Sequence, residues 1–525
     1  MPAMRFRNSL LASSFSLLGL VGCSSSTPDD ANGPTPSLPA PVELPPVESA
    51  PLTTERTITP RHARVKPERN PQVPELMDQM LAEGMGEWDF TAGIDIHTWT
   101  LDDQPPPAPG PGAKMLTRFV HLADTQLADD ESPARLATLD TPTPAIGGAY
   151  RPHEAHECRI LNAAVRTINA LNRTTPIDFV LLGGDNADNA QLNEHQWFTS
   201  ILDGSPYVLC KSGDPLAPFP FPADYPKHPF VAEGLDIRWL WVTGNHDILK
   251  QGTARLRAGE AEASETLGGT RDWSLPGGPV VTGPITPDPN RRQLSRAEVL
   301  DLVSKTGDGH GITDEVKAYG KAFYTFDVEG TPIRIVVMDT AAETGGAQGL
   351  IQQGDIDNFL RPVLEESKAE GKWVILTSHH GSHSLGDGGG PGGTKQDDAV
   401  SLEDWYAFVG SFDNVIMHLA AHTHIHRVNK RTPEGGFAYW ELESAALADW
   451  PNQMRVIEIW DQDNGYIMIR AIGLDYSEEG DPVVQDGRKR AIVDFTSGWV
   501  PDGAPDPTQR NVDLWIAKPG ATAAE

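Results

Sequence analysis

The hexapeptide "AHTHIH" (421–426) places His422, His424 and His426 at alternate positions. On an extended strand, alternate side chains share one face, and three imidazoles together suit a metal ion better than an apolar core. A solvated strand end is the bland alternative, so the rest of the chain has to decide. Four other stretches end in groups of compatible chemistry: Asp124 and Gln126 in "ADTQ", Asp185 and Asp188 in "GGDNAD", Asn245 and His246 in "GNHD", and His379 and His380 in "TSHH". Carboxylate and carboxamide oxygens mixed with imidazole nitrogens, and no thiolate, suit Mn, Fe, Zn or Ni rather than calcium or a structural zinc. Asp124, Gln126, Asp185, Asn245, His379, His422 and His424 are too many donors for one tetrahedral ion. Two divalent or trivalent transition metal ions sharing a carboxylate would use them all. Two such ions about 3.5–4 Å apart can clamp a phosphoryl group and generate hydroxide at neutral pH.

These groups need elements that deliver them to one place. Each follows an apolar, β-rich run: "MLTRFVHLAD" (115–124), "IDFVLLGGD" (177–185), "RWLWVTGNHD" (238–247), "WVILTSHH" (373–380) and "NVIMHLAAHTH" (414–424). Residues 157–172, 355–371 and 401–410 read as the intervening amphipathic helices. Buried strands alternating with helices predict an α/β arrangement, with its functional groups just past the carboxyl ends of the strands. The later runs 435–447, 454–461 and 466–474 alternate as antiparallel strands would, completing a second sheet.

Taken in order, "DTQ" (124–126), "GDNAD" (184–188), "GNHD" (244–247), "SHH" (378–380) and "AHTH" (421–424) resemble the five sequence blocks of the calcineurin-like metallophosphoesterase superfamily, over about residues 115–425. The resemblance implies an α/β fold, a four-layer αββα sandwich of two mixed β-sheets, with a dinuclear metal site at the strand ends and long loop insertions. It implies that Asp124, Gln126, Asp185 and His424 hold one ion, and that Asp185 bridges to a second, completed by Asn245, His379 and His422. His246 would face the phosphate as general acid or charge stabiliser, and Asp188 would hold its tautomer. His380 rivals His379, since adjacent strand residues face opposite ways. His426 has no counterpart in the blocks and reads as a pocket wall or solvated residue. Gln126 stands where the family normally has histidine, a weaker and neutral donor, and Ala421 stands where it normally has glycine.

The activity so implied is metal-dependent hydrolysis of phosphomonoesters or phosphodiesters, on a phosphorylated small-molecule or nucleotide-like substrate, without a covalent phosphoenzyme. The rival reading is a lipid-anchored phosphate-ligand binding protein on a degenerate, non-catalytic version of the fold. A third is a structural envelope lipoprotein whose insertions bind partners.

The start of the chain sets the expected location. Arg5 and Arg7 precede an apolar run too short to span a bilayer, and "LVGC" (20–23) resembles a bacterial lipobox. The expected organisation is a signal peptide over 1–22, then a lipidated Cys23 with a disordered Pro/Ser-rich tether to residue 60, and an N-terminal extension over 61–114. A catalytic domain follows over 115–476, with insertions at about 204–236 and 250–320, and a C-terminal extension over 477–525. This describes an exported lipoprotein of the cell envelope, on its periplasmic or cell-surface side. Ser24 after the cysteine favours the outer membrane where there are two.

The formal net charge of −31 argues against duplex nucleic acid as a partner. Cys158 and Cys210 are the other two cysteines, able to pair in an oxidising compartment or to stay as buried thiols. In the insertion, Arg291, Arg292 or Arg296 could meet an anionic substrate group, or lie on a solvated loop. His153 and His156 belong either to the site mouth or to the surface, and "GDGGGPGG" (386–393) reads as a mobile loop near the fourth block.

Overall fold

Runs rich in Val, Ile and Leu, bounded by Gly, Asn, Asp or Pro, form the strands of two mixed sheets in a computed structural model. The structure describes residues 37–143, 148–214, 216, 221, 225–255, 259–260, 262–272, 278–390, 392–500 and 506–520. The expected signal peptide and Cys23 lie outside the described residues. In chain order the strands are β1 (His97–Thr100), β2 (Lys114–Leu122), β3 (Phe179–Leu182), β4 (Trp239–Leu240), β5 (Tyr324–Asp327), β6 (Ile333–Val337), β7 (Trp373–Thr377), β8 (Val415–Ala420), β9 (Arg427–Arg431), β10 (Tyr439–Glu443), β11 (Gln453–Asp461), β12 (Tyr466–Asp475) and β13 (Val512–Ala517). The seven-stranded sheet runs β1-β13-β12-β11-β2-β3-β4 and the six-stranded sheet β5-β6-β7-β8-β10-β9. The ligand-bearing strands are parallel within each sheet: β2, β3 and β4 in one, β7 and β8 in the other.

Side-chain alternation builds the layers. Ile335, Ile375 and Met417 turn inward to a shared core with Phe119, Ile457, Ile469 and Leu514 of the other sheet. Their neighbours Val336, Val374, Leu376 and Val415 turn outward onto Leu364, Trp405 and Phe408, carried by helices α3 (Arg361–Ala369) and α4 (Leu402–Gly410). Helix α1 (Glu157–Thr174) buries Ile160, Leu161, Ala164, Val165 and Ile168, a helical stripe, in the core it shares with β2 and β3. Helix α2 (Leu192–Asp203) adds Phe198, Ile201 and Leu202. The four-layer αββα sandwich is therefore the observed architecture.

Three boundaries differ from expectation. β10, from the run 435–447, does not continue the antiparallel series but lies parallel to β8 in the six-stranded sheet; all five of its residues are buried, as suits a strand covered on both faces. β11 and β12 do pair antiparallel, in the other sheet. Second, the latter part of the expected tether is packed. Val47 is buried, and Arg56–Pro60 pairs antiparallel with Trp88–Ala92. Ile58 joins a cluster with Trp450, Ile492 and Phe495. A few well-placed apolar residues on proline-stiffened backbone suffice to dock a segment whose average composition is polar. Third, the seven-stranded sheet runs outside 115–476, because β13 inserts between β12 and β1.

The described part of the 250–320 insertion is also folded. It holds the hairpin Glu265–Arg271 with Val280–Pro284, and Val299, Leu300 and Val303 of helix Arg296–Val303 reach the main core. Cys158 and Cys210 form a disulfide with a Cα–Cα distance of 6.6 Å. Among the described residues no helix is long and apolar enough to cross a membrane.

Candidate metal centre

Five of the seven expected ligands have left-handed backbones: Asp124 (φ 49°), Gln126 (φ 40°), Asp185 (φ 53°), His422 (φ 71°) and His424 (φ 59°). Such conformations cost a residue with a side chain free energy, and they persist where the surroundings over-determine them. The surroundings here are backbone hydrogen bonds between strand ends. The Asp124 amide donates to the Gly184 carbonyl (3.0 Å), that of Gln126 to Asp185 (2.9 Å), that of Ala448 to Asp124 (3.0 Å) and that of Ala421 to His379 (2.9 Å). Gly184 must be glycine: at φ +83° a Cβ would come within 2.8 Å of the Gly244 nitrogen and 2.9 Å of His379 Nδ1. His422, His424 and His426 do not share a strand face, because β8 ends at Ala420 and β9 begins at Arg427. A loop with positive φ, rather than pleat alternation, aims the first two.

The side chains converge on Asp185. Its Oδ1 accepts the His246 backbone N–H at 2.8 Å, and its Oδ2 lies 3.0 Å from His379 Nε2 and 3.4 Å from Gln126 Nε2. Asp124 Oδ1 lies 3.3 Å from His424 Nε2, and its Oδ2 accepts the His422 backbone N–H at 3.3 Å. His422 Nδ1 is 3.2 Å from His379 Nε2. Ligand atoms of Asp124, Asp185 and His379 all lie within 4.8 Å of one another, as do those of His379, His380 and His422. Two overlapping sets of donors thus meet at His379.

The donor set fits cations. Asn245 Oδ1 is buried without a hydrogen-bond partner among the described residues, and Asp124 Oδ1 is buried beside the His424 ring. The Asn245 amide is oriented by its Nδ2–H donating to the Gly252 carbonyl at 2.9 Å, which leaves its oxygen for a ligand. Burial opposes ionisation of Asp185, yet the imidazoles of His379 and His246 hold its carboxyl well below the usual range. Burial likewise opposes protonation of His379, but Asp185 raises it to about 9, and Asp124 with Asp449 raises His424 to about 10. Protons on these rings stand where a cation's charge would, and metal binding displaces such protons.

His379 and His380 both lie beyond the end of β7, with ring centroids 4.7 Å apart, so strand alternation does not separate them. Their hydrogen bonds do. His379 Nδ1 bonds the Gly183 carbonyl at 2.8 Å and leaves Nε2 for the site. His380 uses Nδ1 on the Thr340 hydroxyl (2.8 Å) and Nε2 on the Ala347 carbonyl (3.2 Å).

His246 Nδ1 lies 3.1 Å from Asp188 Oδ1, and its Nε2 lies 3.8 Å from Asp185 Oδ2. Burial opposes ionisation of Asp188, but Arg135 and His246 pull its carboxyl down to about 2.

Several expectations do not hold. Arg291 is buried against Asp129 at 2.8 Å, Arg296 donates to the Ala341 carbonyl at 2.6 Å, and Arg292 pairs with Glu298 at 2.9 Å on the surface. Arg291 and Arg296 use their charges within the fold, while Arg292 lies on the surface, as the solvated-loop alternative has it. His153 is neither at the surface nor at a mouth: it is buried, with Nε2 2.6 Å from the Ala448 carbonyl. His156 is buried against Asp486 at 3.0 Å. His426 is not solvated either; it accepts the Ala445 N–H at 3.2 Å and lies 3.2 Å from Gln453 Oε1.

Besides Arg135, which pairs with Asp188, the centre is served by Arg151, which no block contains. Its Nε donates to Asp449 Oδ1 at 2.6 Å and its Nη2 to Gln126 Oε1 at 2.5 Å, while its Nη1 lies 3.9 Å from Asp188 Oδ1. Asp449 in turn bonds His424 Nδ1. One guanidinium thus ties together the supports of His424 and His246 and occupies the Gln126 carbonyl oxygen, so that Gln126 turns its amide nitrogen rather than its oxygen to Asp185. The only sequence signal was the charge density of "RPHEAHE" (151–157), and for Asp449 there was none. Groups that orient metal ligands typically matter about 10–100-fold in affinity. Asp449→Asn is therefore expected to weaken metal binding by about 10–100-fold in a metal titration; unchanged affinity would remove Asp449 from the centre.

A two-sheet α/β sandwich with imidazoles and carboxylates gathered at its parallel strand ends defines a metallohydrolase scaffold. The chain belongs to the calcineurin-like phosphoesterase family, whose model matches residues 117–426. It is accordingly a metal-dependent hydrolase of phosphoesters. No curated protein matches it. Among solved structures, it is similar to a dimetal phosphatase from Danio rerio (TM-score 0.40, 13% identity, covering 69% of this chain and 100% of that one). It is also similar to GAP50, the anchor in the inner membrane complex of Plasmodium (TM-score 0.31, 10% identity, 70% and 87%). A third is the sulfate thiohydrolase SoxB from Thermus thermophilus (TM-score 0.29, 13% identity, 75% and 61%).

Proposed function

We propose that the protein is a phosphomonoesterase or phosphodiesterase of the cell envelope, carried on lipid at Cys23. The observation that carries the catalytic part is the convergence of Asp124, Asp185, His379, His422 and His424 from four strand ends, with His246 set beside them. Support for the location comes from residues 1–23 and from the Cys158–Cys210 disulfide, a bond that persists in oxidising compartments.

Asp124, Asp185 and His424 would hold one metal ion, joined by Gln126 once its oxygen turns from Arg151, and Asp185, Asn245, His379 and His422 would hold the second. When bound, the pair supplies positive charge to the phosphoryl oxygens and makes an attacking water more acidic. The chain's own groups do the rest. His246 Nε2 faces the space beside Asp185 Oδ2, where it stabilises charge on the phosphoryl group and gives a proton to the leaving oxygen. Asp188, ionised against Arg135, accepts the His246 Nδ1–H and keeps Nε2 turned to the substrate. Arg151 holds Asp449, and through it the orientation of His424. Water adds to phosphorus and gives up one proton to solvent, the P–O ester bond breaks, the departing oxygen takes the His246 proton and leaves as the alcohol, and solvent reprotonates His246.

The test is the purified full chain loaded separately with Mn, Fe, Zn or Ni and given p-nitrophenyl phosphate and bis(p-nitrophenyl) phosphate. Metal-dependent release of nitrophenol, abolished by chelation, is expected from the membrane fraction, and Cys23→Ala is expected to move it to the soluble fraction. A metal-loaded protein inert on both esters would favour the binding-protein reading, and membrane retention of the Cys23 variant would remove the anchor.

A further inference from the structure

The residues just beyond "AHTHIH" form a second constellation that the chemistry above does not use. β9, "RVNKR", is an edge strand whose period of two puts Arg427, Asn429 and Arg431 on one face, while Val428 turns into the core between the sheets. Opposite them, in antiparallel register, β10 presents Glu443 to Arg427 and Glu441 to Asn429. Both glutamates are fully buried and serve as counter-ions. Arg427 Nη1 lies 3.2 Å from Glu443 Oε2, and Arg431 Nη2 lies 2.5 Å from Glu441 Oε1. His383 accepts from Arg427 Nη1 at 2.8 Å and lies 3.4 Å from Glu443 through its other nitrogen.

Three consequences follow. The carboxylates lie beneath and the guanidiniums above, so each ion pair turns its positive end outward. Arg427 and Arg431 keep 30% and 19% of their side-chain surface in solvent. Arg427 Nε and Nη2 and Arg431 Nη1 make no hydrogen bond among the described residues, which leaves them as spare donors on charged forks held in place from below. Finally, the arginines border a cavity of about 550 Å³ whose other lining includes His383, Ser384, Thr423 and His422. Its walls are polar, and His422 belongs equally to the metal centre. The floor is tied to that centre as well: Thr423, between the two ligand histidines, donates its hydroxyl to Glu443 Oε2 at 2.5 Å.

A third-cation reading of His383, Glu441 and Glu443 fails on charge. Two arginines already neutralise the two carboxylates, and they would repel a metal ion.

We propose that this cavity receives the part of the substrate that extends past His422 and selects one that carries a second anionic group, a phosphate or carboxylate, beyond the ester being cleaved. The proposal rests on the reading of the neighbouring residues as a phosphoester-hydrolysing centre. Arg427 and Arg431 engage the second anion through their free N–H groups, Asn429 and Ser384 add neutral hydrogen bonds, and a lining without large aliphatic side chains offers little to an acyl chain.

The experiment compares glucose 1,6-bisphosphate with glucose 6-phosphate and glucose 1-phosphate on the metal-loaded full chain. Wild type is expected to favour the bisphosphate in kcat/KM by about tenfold or more, the weight of one charge-assisted contact. Arg427→Gln and Arg431→Gln are expected to erase most of that preference, chiefly by raising KM for the bisphosphate. Because neutral replacements leave a buried glutamate unpaired, Arg427→Lys and Arg431→Lys are made alongside. They keep the charge but not the fork, and are expected to lose several-fold of the preference with metal content unchanged. A wild type that hydrolyses these esters without preferring the bisphosphate overturns the proposal, and so does a preference that survives the lysine variants. A wild type inert on every ester tested, with metal bound, would instead strike at the catalytic reading itself.

Discussion

Asp185→Asn is expected to lose both metal content and turnover, and it is the most damaging single change the centre offers. Its two carboxylate oxygens serve different neighbours, Oδ1 the His246 backbone N–H and Oδ2 the His379 ring, and it stands between both groups of donors. Asparagine keeps the size of the side chain and tolerates the left-handed backbone at this position (φ 53°), so the substitution tests charge rather than fold. It removes the one anion that two cations would share and places an amide N–H among donors. Metal ions supply several kcal/mol of transition-state stabilisation in such reactions, which at 1.36 kcal/mol per tenfold corresponds to about a thousandfold or more in kcat/KM. Elemental analysis of the purified variant, set beside its steady-state rate, checks both halves. Full occupancy by two ions would contradict a bridging role.

His246→Ala is expected to lower kcat by about 10²–10⁴-fold, the range of general acid catalysis, with metal content unchanged. The separation is possible because the contact His246 makes to Asp185 through Oδ1 is a backbone one and survives truncation of the ring. Only the imidazole, held by Asp188, is removed. The leaving group supplies a sharper readout than rate alone. If His246 gives its proton to the departing oxygen, the loss should be large for an alkyl phosphate and small for p-nitrophenyl phosphate, whose alcohol leaves unassisted. Asp188→Asn should share part of this pattern, because it disturbs the tautomer rather than deleting the ring. Losses equal for both esters would move His246 from proton donor to electrostatic support.

The two expectations draw on unequal amounts of information. Asp185, Asn245 and His246 were legible because each ends an apolar run in a short block whose spacing is dictated by local backbone. A strand that stops and a tight turn that follows need only a few consecutive residues. The sandwich was legible for the same reason, since the alternation within β6, β7 and β8 is written along each strand. The pairing of β10 with β8 was not, because a run buried on both faces carries no mark of its neighbour's direction. Nor was the docking of residues 38–60, where Val47 and Ile58 gain partners only from distant segments.

The supports of the centre were the least legible part. Asp449 stands behind His424, and Arg151 reaches it across 298 positions; neither sits in a motif, since an ion pair demands complementary charge and distance but no sequence spacing. That His379 rather than His380 leaves its Nε2 without a backbone or hydroxyl partner is likewise the work of Gly183, Thr340 and Ala347, residues far from both in the chain. By itself the sequence determined which chemistry the protein carries, because ligand type and strand-end placement are local properties. Tertiary structure alone decided which side chains hold those ligands in place and which cavity opens beside them, because buried charge is satisfied only by what the fold brings near.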